Sequence, residues 1–355
     1  MTTAKFAVMG AGISGVYLAA MIKKAVIDVE ADLYDLPGAR LGCACAWGTE
    51  IDEFKRYMKY LDIDPESLIM RKIHRINFQD VWQTRTTNFC TINRVAMIKA
   101  ILHRYDIKVH TETPFFPDYD RIIDCTGHAR AFMPPALGTD LKIKCRQVIV
   151  TADDWDPHEC TIIFGNIGYG WKFPLGKRIY HVGYGELGND AFLRKWYKKT
   201  VADRVKVCDC ADHFKKRESV RLSPPSQMLP FIGTNLSIVM NHETAYFKIP
   251  VVGVGESVGS CSPLVGEGII PSLKCADLFL ENLNDMKGYQ KAVLKEFKWM
   301  DKEFAVIQNF IKGNDWRGIL GFMRVFSNGQ RFGIKSTWRD WPHLLSVLKT
   351  WRKRK

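Results

Sequence analysis

The chain has no apolar run that approaches the roughly 20 residues needed for a membrane-spanning helix. It also has no internal repeat and no low-complexity linker, which excludes solenoid and fibrous classes. The first predicted strand begins at Lys5, and this leaves no room for a signal peptide. With 355 residues, the chain is long enough for two domains or for one discontinuous domain with an insertion. We therefore predict a folded cytoplasmic protein.

The sequence has too few cysteines for a disulfide scaffold, with ten in the whole chain. Two close pairs stand out, Cys43 with Cys45 and Cys208 with Cys210, and His213 follows the second pair. This C-x-C spacing is not the C-x-x-C spacing of a zinc knuckle, and no second paired cluster lies nearby. We expect reduced thiols and no metal. A metal held by Cys208, Cys210 and His213 is the alternative that the residues leave open.

Acidic residues are fewer than basic ones. The chain has 38 Asp and Glu and 51 Lys and Arg, which gives a net charge of +13. A basic surface suits nucleic acid, anionic lipid or an acidic protein. Cations spread through a helical region are usually solvated, so we expect no nucleic acid. The amphipathic run Leu344–Trp351 and the cations Arg352–Lys355 fit peripheral membrane contact. A solvated tail after a last packed helix is the competing interpretation.

Three glycines near the start of the chain, Gly10, Gly12 and Gly15, form the pattern G-x-G-x-x-G. The apolar run Lys5–Met9 before it predicts a buried strand, and Ser14–Lys24 after it has helical spacing. In such a loop the glycines allow a tight turn, close approach of backbone N–H groups to a pyrophosphate, and close helix–strand packing. The context predicts a dinucleotide-binding loop.

An acidic residue at the end of the second predicted strand strengthens this interpretation. Asp35 follows the run Ala31–Tyr34 and lies twenty residues after Gly15, where a carboxylate suits the hydroxyl pair of a ribose. Further helices are predicted at Phe54–Leu61 and Ile92–Arg104, and a helix from about Glu267 to Leu283. Further strands are predicted at Ile107–His110, Arg121–Cys125 and Val251–Gly255.

The order of these elements predicts an α/β protein with a discontinuous domain. Residues 1–140 and 251–285 form a Rossmann-like nucleotide-binding domain, and 286–355 form a C-terminal helical region. Residues 141–250 are rich in Val, Ile, Tyr and Thr in short runs, which predicts an inserted antiparallel-sheet substrate domain. A nucleotide fold interrupted in this way is more typical of a flavoprotein than of a simple dehydrogenase.

Four further segments point to a family. They are Leu41–Gly48 (LGCACAWG), Ile122–Ala131 (IIDCTGHARA), Gly168–Gly176 (GYGWKFPLG) and Gly255–Ile269 (GESVGSCSPLVGEGI). Together they resemble, over residues 1 to 283, the geranylgeranyl reductase family of FAD-dependent oxidoreductases in its archaeal type. That family belongs to the flavoprotein group built like p-hydroxybenzoate hydroxylase. The third segment, with its Y-x-W-x-F-P pattern, is the most specific.

The resemblance implies tightly bound FAD and reduction of isolated carbon–carbon double bonds in polyprenyl chains. Glu256 stands where the family has an aspartate that holds the ribitol or pyrophosphate region. The segment from Pro263 would place a helix N-terminus near the flavin pyrimidine ring, where its dipole favours the anionic reduced flavin. The cofactor-binding residues carried over are Gly10, Gly12, Ser14, Gly15, Asp35, Arg94, Gly127, Gly255, Glu256, Gly266, Gly268 and Ile269.

Four residues are candidates for the chemistry itself. Tyr169, Trp171 and Phe173 alternate along a predicted strand and so share one face. An aromatic wall beside the flavin suits a polyprenyl chain, and a sheet core is the competing interpretation. Cys45 lies where many family members carry a cysteine that could donate a proton to the alkene. Trp47 replaces the family's glutamate in this loop, and an inert buried cysteine remains the alternative.

The leading hypothesis is therefore an FAD-dependent reductase of isoprenoid double bonds. There is no second glycine pattern for a bound nicotinamide, so electrons would come from an external donor: a reduced nicotinamide, a deazaflavin or a ferredoxin-like protein. The alternative is a flavin-dependent monooxygenase of the same fold acting on a small or lipid-like substrate. A flavin halogenase is disfavoured, because Trp171 alone does not form a Trp-x-Trp-x-x-Pro segment.

Overall fold

The computed structural model describes residues 3–25, 28–36, 45–78, 82–133, 141–205, 207, 217–221, 236–240, 243–247 and 249–334, together with Pro342 and Ser346. Within these residues the chain forms a parallel sheet, a larger mixed sheet and a two-stranded hairpin. The helices are α1 Ile13–Ala25, α2 Ile51–Tyr60, α3 Arg94–Arg104, α4 Ala191–Val201, α5 Ile269–Glu281, α6 Met286–Glu296, α7 Lys298–Ile311 and α8 Asp315–Val325.

The first sheet is parallel and is built from short apolar runs, as expected for strands buried on both faces. Its strands are β1 Ala4–Met9, β2 Val29–Tyr34, β6 Val109–His110, β7 Arg121–Asp124 and β15 Val251–Gly253. They lie in the order β15–β7–β1–β2–β6. Every strand predicted for the nucleotide fold is present, with ends shifted by at most two residues.

The register of this sheet places four strand ends in one row. Met9 pairs with Tyr34 on one side and with Asp124 on the other, and Asp124 pairs with Gly253. The segments that follow these residues therefore leave the sheet at the same edge. In open α/β sheets this carboxyl edge is where ligands bind.

The second sheet has eight strands. They are β3 Gly48–Glu50, β4 Ile69–Phe78, β5 Trp82–Ile92, β8 Lys142–Thr151, β9 Glu159–Phe164, β10 Gly168–Gly176, β11 Ile179–Glu186 and β12 Arg217–Arg221. Their order is β12–β8–β11–β10–β9–β4–β5–β3, and the pairing is antiparallel except between β4 and β9. The hairpin consists of β13 Leu236–Met240 and β14 Glu243–Phe247.

This sheet takes strands from two parts of the chain. The antiparallel strands predicted within residues 141–250 are present, but β3, β4 and β5 come from residues 48–92, which the sequence boundaries assign to the nucleotide-binding domain. Register shifts between β4 and β5 break the regular alternation of apolar residues that marks a strand. The helix predicted at Ile92–Arg104 begins at Arg94, because Ile92 is the last residue of β5. Asn93 caps the helix: its side chain accepts a hydrogen bond from the amide of Ala96.

The C-terminal region is helical, as predicted, through α6, α7 and α8 and a 3₁₀ segment at Phe326–Phe332. Asp285 caps α6 by accepting from the amide of Gly288. None of the helices in the described part of the chain has both the length and the apolar character needed to cross a membrane.

Candidate functional site

A cavity of about 830 Å³ lies between the carboxyl edge of the parallel sheet, the second sheet and the C-terminal helices. Ligand sites are commonly clefts of about 300–1,000 Å³ lined mainly by apolar side chains. The glycine loop contributes Gly10 and Gly12, β10 contributes its aromatic face, and α8 contributes Phe322. A single space therefore joins the predicted nucleotide site to the predicted substrate site.

The glycine loop has the backbone that a pyrophosphate site requires. Gly10 has φ +106°, and a Cβ added there would lie 2.5 Å from the carbonyl oxygen of Cys125. A Cβ on Gly15 would lie 2.0 Å from the carbonyl oxygen of Gly10, so only glycine lets α1 begin this close to β1. A Cβ on Gly12 would meet nothing within 4 Å, because Gly12 faces the cavity.

The carboxylate of Asp35 is held against this loop. Asp35 Oδ2 accepts a hydrogen bond of 3.1 Å from the amide of Ala11, and Oδ1 accepts one of 2.8 Å from Leu36. Asp35 lines the cavity, as does Arg94 at the first position of α3. An acidic residue and a basic residue thus face the same space as the open Gly12.

The loop after β7 is organised by a buried carboxylate. Asp124 is fully buried, and its oxygens accept from the amides of Thr126, Phe132 and Met133. These bonds fix the turn that brings Gly127 to the cavity. A Cβ on Gly127 would lie 3.1 Å from Glu256 Oε2, so the two predicted cofactor contacts are neighbours.

The aromatic residues of β10 form one face that borders the cavity. Tyr169 and Trp171 have ring centroids 5.7 Å apart, and Phe173 contacts Phe89 edge-on at 5.9 Å. The neighbouring strand β11 has Gly183 opposite Trp171. A Cβ at Gly183 would lie only 2.5 Å from Trp171 Cζ2, so the absence of a side chain there leaves space for the indole ring. Trp171 and Phe173 are 5% and 8% exposed, so they both pack in an apolar cluster and line the cavity.

The Cys45 thiol is half-buried and also lines the cavity. Its sulfur accepts a 3.4 Å hydrogen bond from the amide of Trp47, which has a left-handed backbone with φ 62°. The Trp47 ring lies 4.4 Å from the His181 ring. Burial lowers the pKa of His181 to about 3, and a hydrogen bond to the Cys45 backbone opposes this only in part, so His181 is neutral at pH 7. This uncharged pair holds the turn that presents Cys45.

Glu267, just before α5, is a cavity residue that the sequence pattern did not single out. Its Oε1 accepts from the amides of Ile269 and Ile270 at 3.0 and 3.1 Å, and from the Thr49 hydroxyl at 3.2 Å. Burial raises the pKa of Glu267 to about 7, against these hydrogen bonds. The N-terminus of α5 faces the cavity, and this chain's own Glu267 carboxylate binds its first two amides. Its position near a flavin pyrimidine ring stays a prediction.

The C-terminal helices close the other side of the cavity. Glu303 on α7 accepts from the Ser262 hydroxyl at 2.7 Å and from the Asn328 side-chain amide at 3.0 Å, and burial raises its pKa. Phe322 on α8 contacts Phe164 of β9 edge-on at 6.4 Å. No motif in the sequence marks these residues, because they belong to ordinary amphipathic helices.

The structure gathers nearly all of the predicted site residues around this one cavity. The exceptions are Gly15 and Gly255, which pack against Gly10 and Ser14 beneath it. The cavity-lining ones are Gly10, Gly12, Ser14, Asp35, Cys45, Arg94, Gly127, Tyr169, Trp171, Phe173, Glu256, Gly266, Gly268 and Ile269. Cys208, Cys210, His213 and the tail 347–355 lie outside the described residues. Within those residues, no group of three or more His, Cys, Asp or Glu is arranged to hold a metal ion.

A comparison with curated proteins finds a relative of similar length. An uncharacterized protein of Methanocaldococcus jannaschii is 25% identical over 362 aligned positions, which cover 85% of this chain and 91% of the relative. No protein-family model matches the chain.

Solved structures match the fold at low sequence identity. A geranylgeranyl bacteriochlorophyll reductase-like protein of Thermoplasma acidophilum has a TM-score of 0.62 at 16% identity and covers 87% of this chain and 88% of its own. A tryptophan 6-halogenase of Streptomyces toxytricini has a TM-score of 0.62 at 12% identity, with 86% and 77% covered. HpxO of Klebsiella pneumoniae, complexed with FAD and uric acid, has a TM-score of 0.53 at 13% identity, with 98% and 97% covered.

The chain therefore shares its fold with solved structures that include HpxO complexed with FAD. The open Gly12, the Asp35 carboxylate and the volume of the cavity fit FAD: the glycine loop would hold the pyrophosphate and Asp35 a ribose. The reductase-like Thermoplasma protein and the tryptophan 6-halogenase match this fold with the same TM-score, so the shared fold does not distinguish their activities.

Proposed function

We propose that this protein is an FAD-dependent enzyme that reduces carbon–carbon double bonds in isoprenoid chains of the geranylgeranyl type. The observation that carries the proposal is the aromatic face of β10, which borders the same cavity as the glycine loop. Ile76 and Phe78 of β4 and Phe322 of α8 extend this lining. An apolar, flexible chain is the substrate class that such a surface desolvates well.

FAD held at Gly12 and Asp35 would supply the hydride chemistry needed at one carbon of the double bond. The protein's own residues then have three tasks. The β10 aromatics hold the chain, the mainly apolar lining of the cavity disfavours water beside it, and an acid must protonate the second alkene carbon. Cys45 is the proton donor that we propose, since its thiol reaches the cavity.

A monooxygenase acting on a small or lipid-like substrate is the second candidate. A small substrate is supported by the match to HpxO, which is complexed with FAD and uric acid and extends over 98% of this chain. The two candidates differ in what reoxidises the flavin, because a reductase uses the alkene and a monooxygenase uses oxygen.

The decisive experiment starts from flavin reduced with dithionite in the absence of oxygen. Geranylgeranyl lipid is then added, and the return of the oxidised flavin spectrum is followed together with the mass of the lipid. We expect reoxidation and a lipid that is heavier by two hydrogens per turnover. Reoxidation only by oxygen, with a hydroxylated product, would establish the monooxygenase and overturn the reductase.

Replacing the aromatic wall should impair turnover without loss of FAD. In Trp171→Ala and Phe173→Ala we expect the apolar chain to lose part of its contact surface, which raises KM by roughly tenfold or more. Trp155→Ala is the matched control, since Trp155 packs against Tyr180 and Lys172 away from the cavity. Steady-state kinetics and the flavin-to-protein ratio provide the two measurements. Normal turnover in both cavity variants would assign these rings to the sheet core alone.

We also propose an external electron donor, which is a reduced nicotinamide, a deazaflavin or an acidic ferredoxin-like protein. The net charge of +13 supports an acidic protein donor. A cytoplasmic location and peripheral contact with a membrane through the basic tail remain predictions from the sequence. Such contact would suit a lipid substrate that must leave a bilayer to reach the cavity.

A further inference from the structure

The N-terminus of α5 is an anion-binding position that a side chain of this protein already occupies. The first two helical positions, Ile269 and Ile270, direct their amides to Glu267 Oε1. The third position is Pro271, which has no N–H to offer. The Glu267 carboxylate therefore takes both of the free donors that this first turn can present to a ligand.

The second oxygen of the same carboxyl group has no partner. Glu267 is 8% exposed, and Oε2 is buried without a hydrogen bond to any described residue. Leaving a buried carboxylate oxygen unsatisfied is costly for the ionised form. The neutral acid is therefore stabilised, and a second negative charge nearby would stabilise it further.

The charged and titratable groups around Glu267 come from several elements. Glu50 on β3 adds a negative charge that raises the Glu267 pKa. Tyr169 on β10 donates its hydroxyl to Val265 O, and Cys261 lies against Gly268. Glu303 on α7 reaches the same loop through Ser262. Farther along α5, Lys274 pairs with Glu296, and Asp277 accepts from Tyr17.

The first turn of α5 faces the cavity that fits FAD, with Gly266, Gly268 and Ile269 in the lining. Two-electron reduction with uptake of one proton gives a flavin with one negative charge. Two negative charges near one helix N-terminus, in a site of low polarity, repel strongly. Protonation of the Glu267 carboxylate would remove one of the two charges and so relieve this repulsion.

We propose that Glu267 takes up a proton when the bound flavin is reduced, so that reduction consumes two protons for two electrons. One proton goes to the flavin and the other to Glu267, and the external reductant supplies both electrons. The inference requires bound FAD and holds for a reductase and for a monooxygenase alike.

The test is the pH dependence of the flavin midpoint potential between pH 8 and 9, measured on the FAD-loaded protein without oxygen. This range lies above the Glu267 pKa of about 7, so the carboxylate is ionised before reduction. Each proton taken up per two electrons changes the potential by about 30 mV per pH unit. We expect a slope of about −60 mV per pH unit in the wild type and about −30 mV in Glu267→Gln. Glutamine can accept the same amide hydrogen bonds but does not ionise.

Glu303→Gln is the matched control, because it removes a second buried carboxylate that contacts the same loop. This variant should keep the wild-type slope. Loss of the steep slope in Glu303→Gln rather than in Glu267→Gln would overturn the assignment, as would equal slopes in the wild type and Glu267→Gln.

Two measurements on the wild type keep the proposal testable if Glu267→Gln fails to hold FAD. Proton uptake during reduction, followed with an indicator dye, should approach two per flavin at pH 8 and above, where Glu267 is ionised before reduction. The spectrum of the reduced flavin should stay in its anionic form across the range. Uptake of one proton, or a reduced spectrum that changes with pH because the flavin itself is protonated, would overturn the proposal.

Discussion

At the scale of single residues, the glycine loop separates two roles that look alike in the sequence. Gly15 is required by the fold, because any side chain there collides with the Gly10 carbonyl. The fold does not require Gly12, because a side chain there has free space in the protein and would enter the cavity. We therefore expect a bound ligand, and not the fold, to restrict this position to glycine.

The pair Gly12→Val and Gly15→Ala tests this separation. Gly12→Val should leave the stability of the flavin-free protein within about 0.5 kcal/mol of the wild type and abolish FAD retention. Gly15→Ala should lower the free energy of unfolding by about 1–3 kcal/mol or more, because the backbone must move. Urea unfolding and released flavin provide the measurements. A colourless wild type that cannot be reconstituted with FAD would contradict the cofactor assignment itself.

Glu267 should also make stability depend on pH. Its pKa is about 7 in the folded chain against an ordinary value of 4.5, so the folded state binds this proton more tightly. The free energy of unfolding therefore falls as pH rises from about 4.5 through about 7, by about 3 kcal/mol for this residue. In flavin-free Glu267→Gln that contribution is absent, and urea unfolding at pH 5 and pH 8 measures it. An identical decline in both proteins would contradict the pKa shift.

At the scale of elements, the cavity is made by the meeting of three structures with separate positions in the chain. The parallel sheet presents its carboxyl edge, β10 presents an aromatic face, and α7 and α8 cover the remaining side. Neither sheet encloses the space alone. We therefore infer that the C-terminal helices belong to the site, although the family resemblance ends before them.

Phe322→Ala on α8 tests the contribution of these helices. Phe322 borders the cavity and contacts Phe164, so its removal should raise KM for a long polyprenyl chain by roughly tenfold. FAD content should not change. Leu320→Ala on the exposed part of the same helix is the control and should behave as the wild type. Equal KM values in the two variants would remove α8 from the substrate wall.

At the scale of the whole molecule, the excess of 13 positive charges is the property that bears on partners. Summed charge steers association with an oppositely charged protein, and salt screens this steering over about 10 Å at 0.1 M. The charge has little bearing on the fold, because hydrophobic burial and hydrogen bonds determine the fold.

Flavin reduction by an acidic ferredoxin-like protein should therefore slow as salt rises. Between about 0.02 and 0.5 M salt we expect the second-order rate constant to fall roughly tenfold or more. Reduction by dithionite in matched buffers gives the salt response of a small reductant. Stopped-flow absorbance measures both reactions. If the two reductants respond equally to salt, the basic surface does not guide a protein donor.

The nucleotide-binding half was predictable from the sequence alone, for local reasons. Strand β1, helix α1 and the turn between them follow from an apolar run, helical spacing and glycines at fixed offsets. Asp35 was found because it ends the next strand, and strands of a parallel sheet present their ends at one edge. Tyr169, Trp171 and Phe173 share a face because side chains alternate along any strand.

Tertiary structure alone decided what covers the cavity and which of its groups are charged. Strands β4 and β5 belong to the second sheet because β4 pairs with β9, a strand some eighty residues away in the chain, and β5 pairs with β4. Glu303 and Phe322 reached the cavity through helix packing that their amphipathic pattern does not specify. The raised pKa of Glu267 depends on burial and on the nearby Glu50 carboxylate, and these are properties of the assembled site. Short-range geometry is encoded in neighbouring residues, whereas burial is set by segments that meet only in the folded chain.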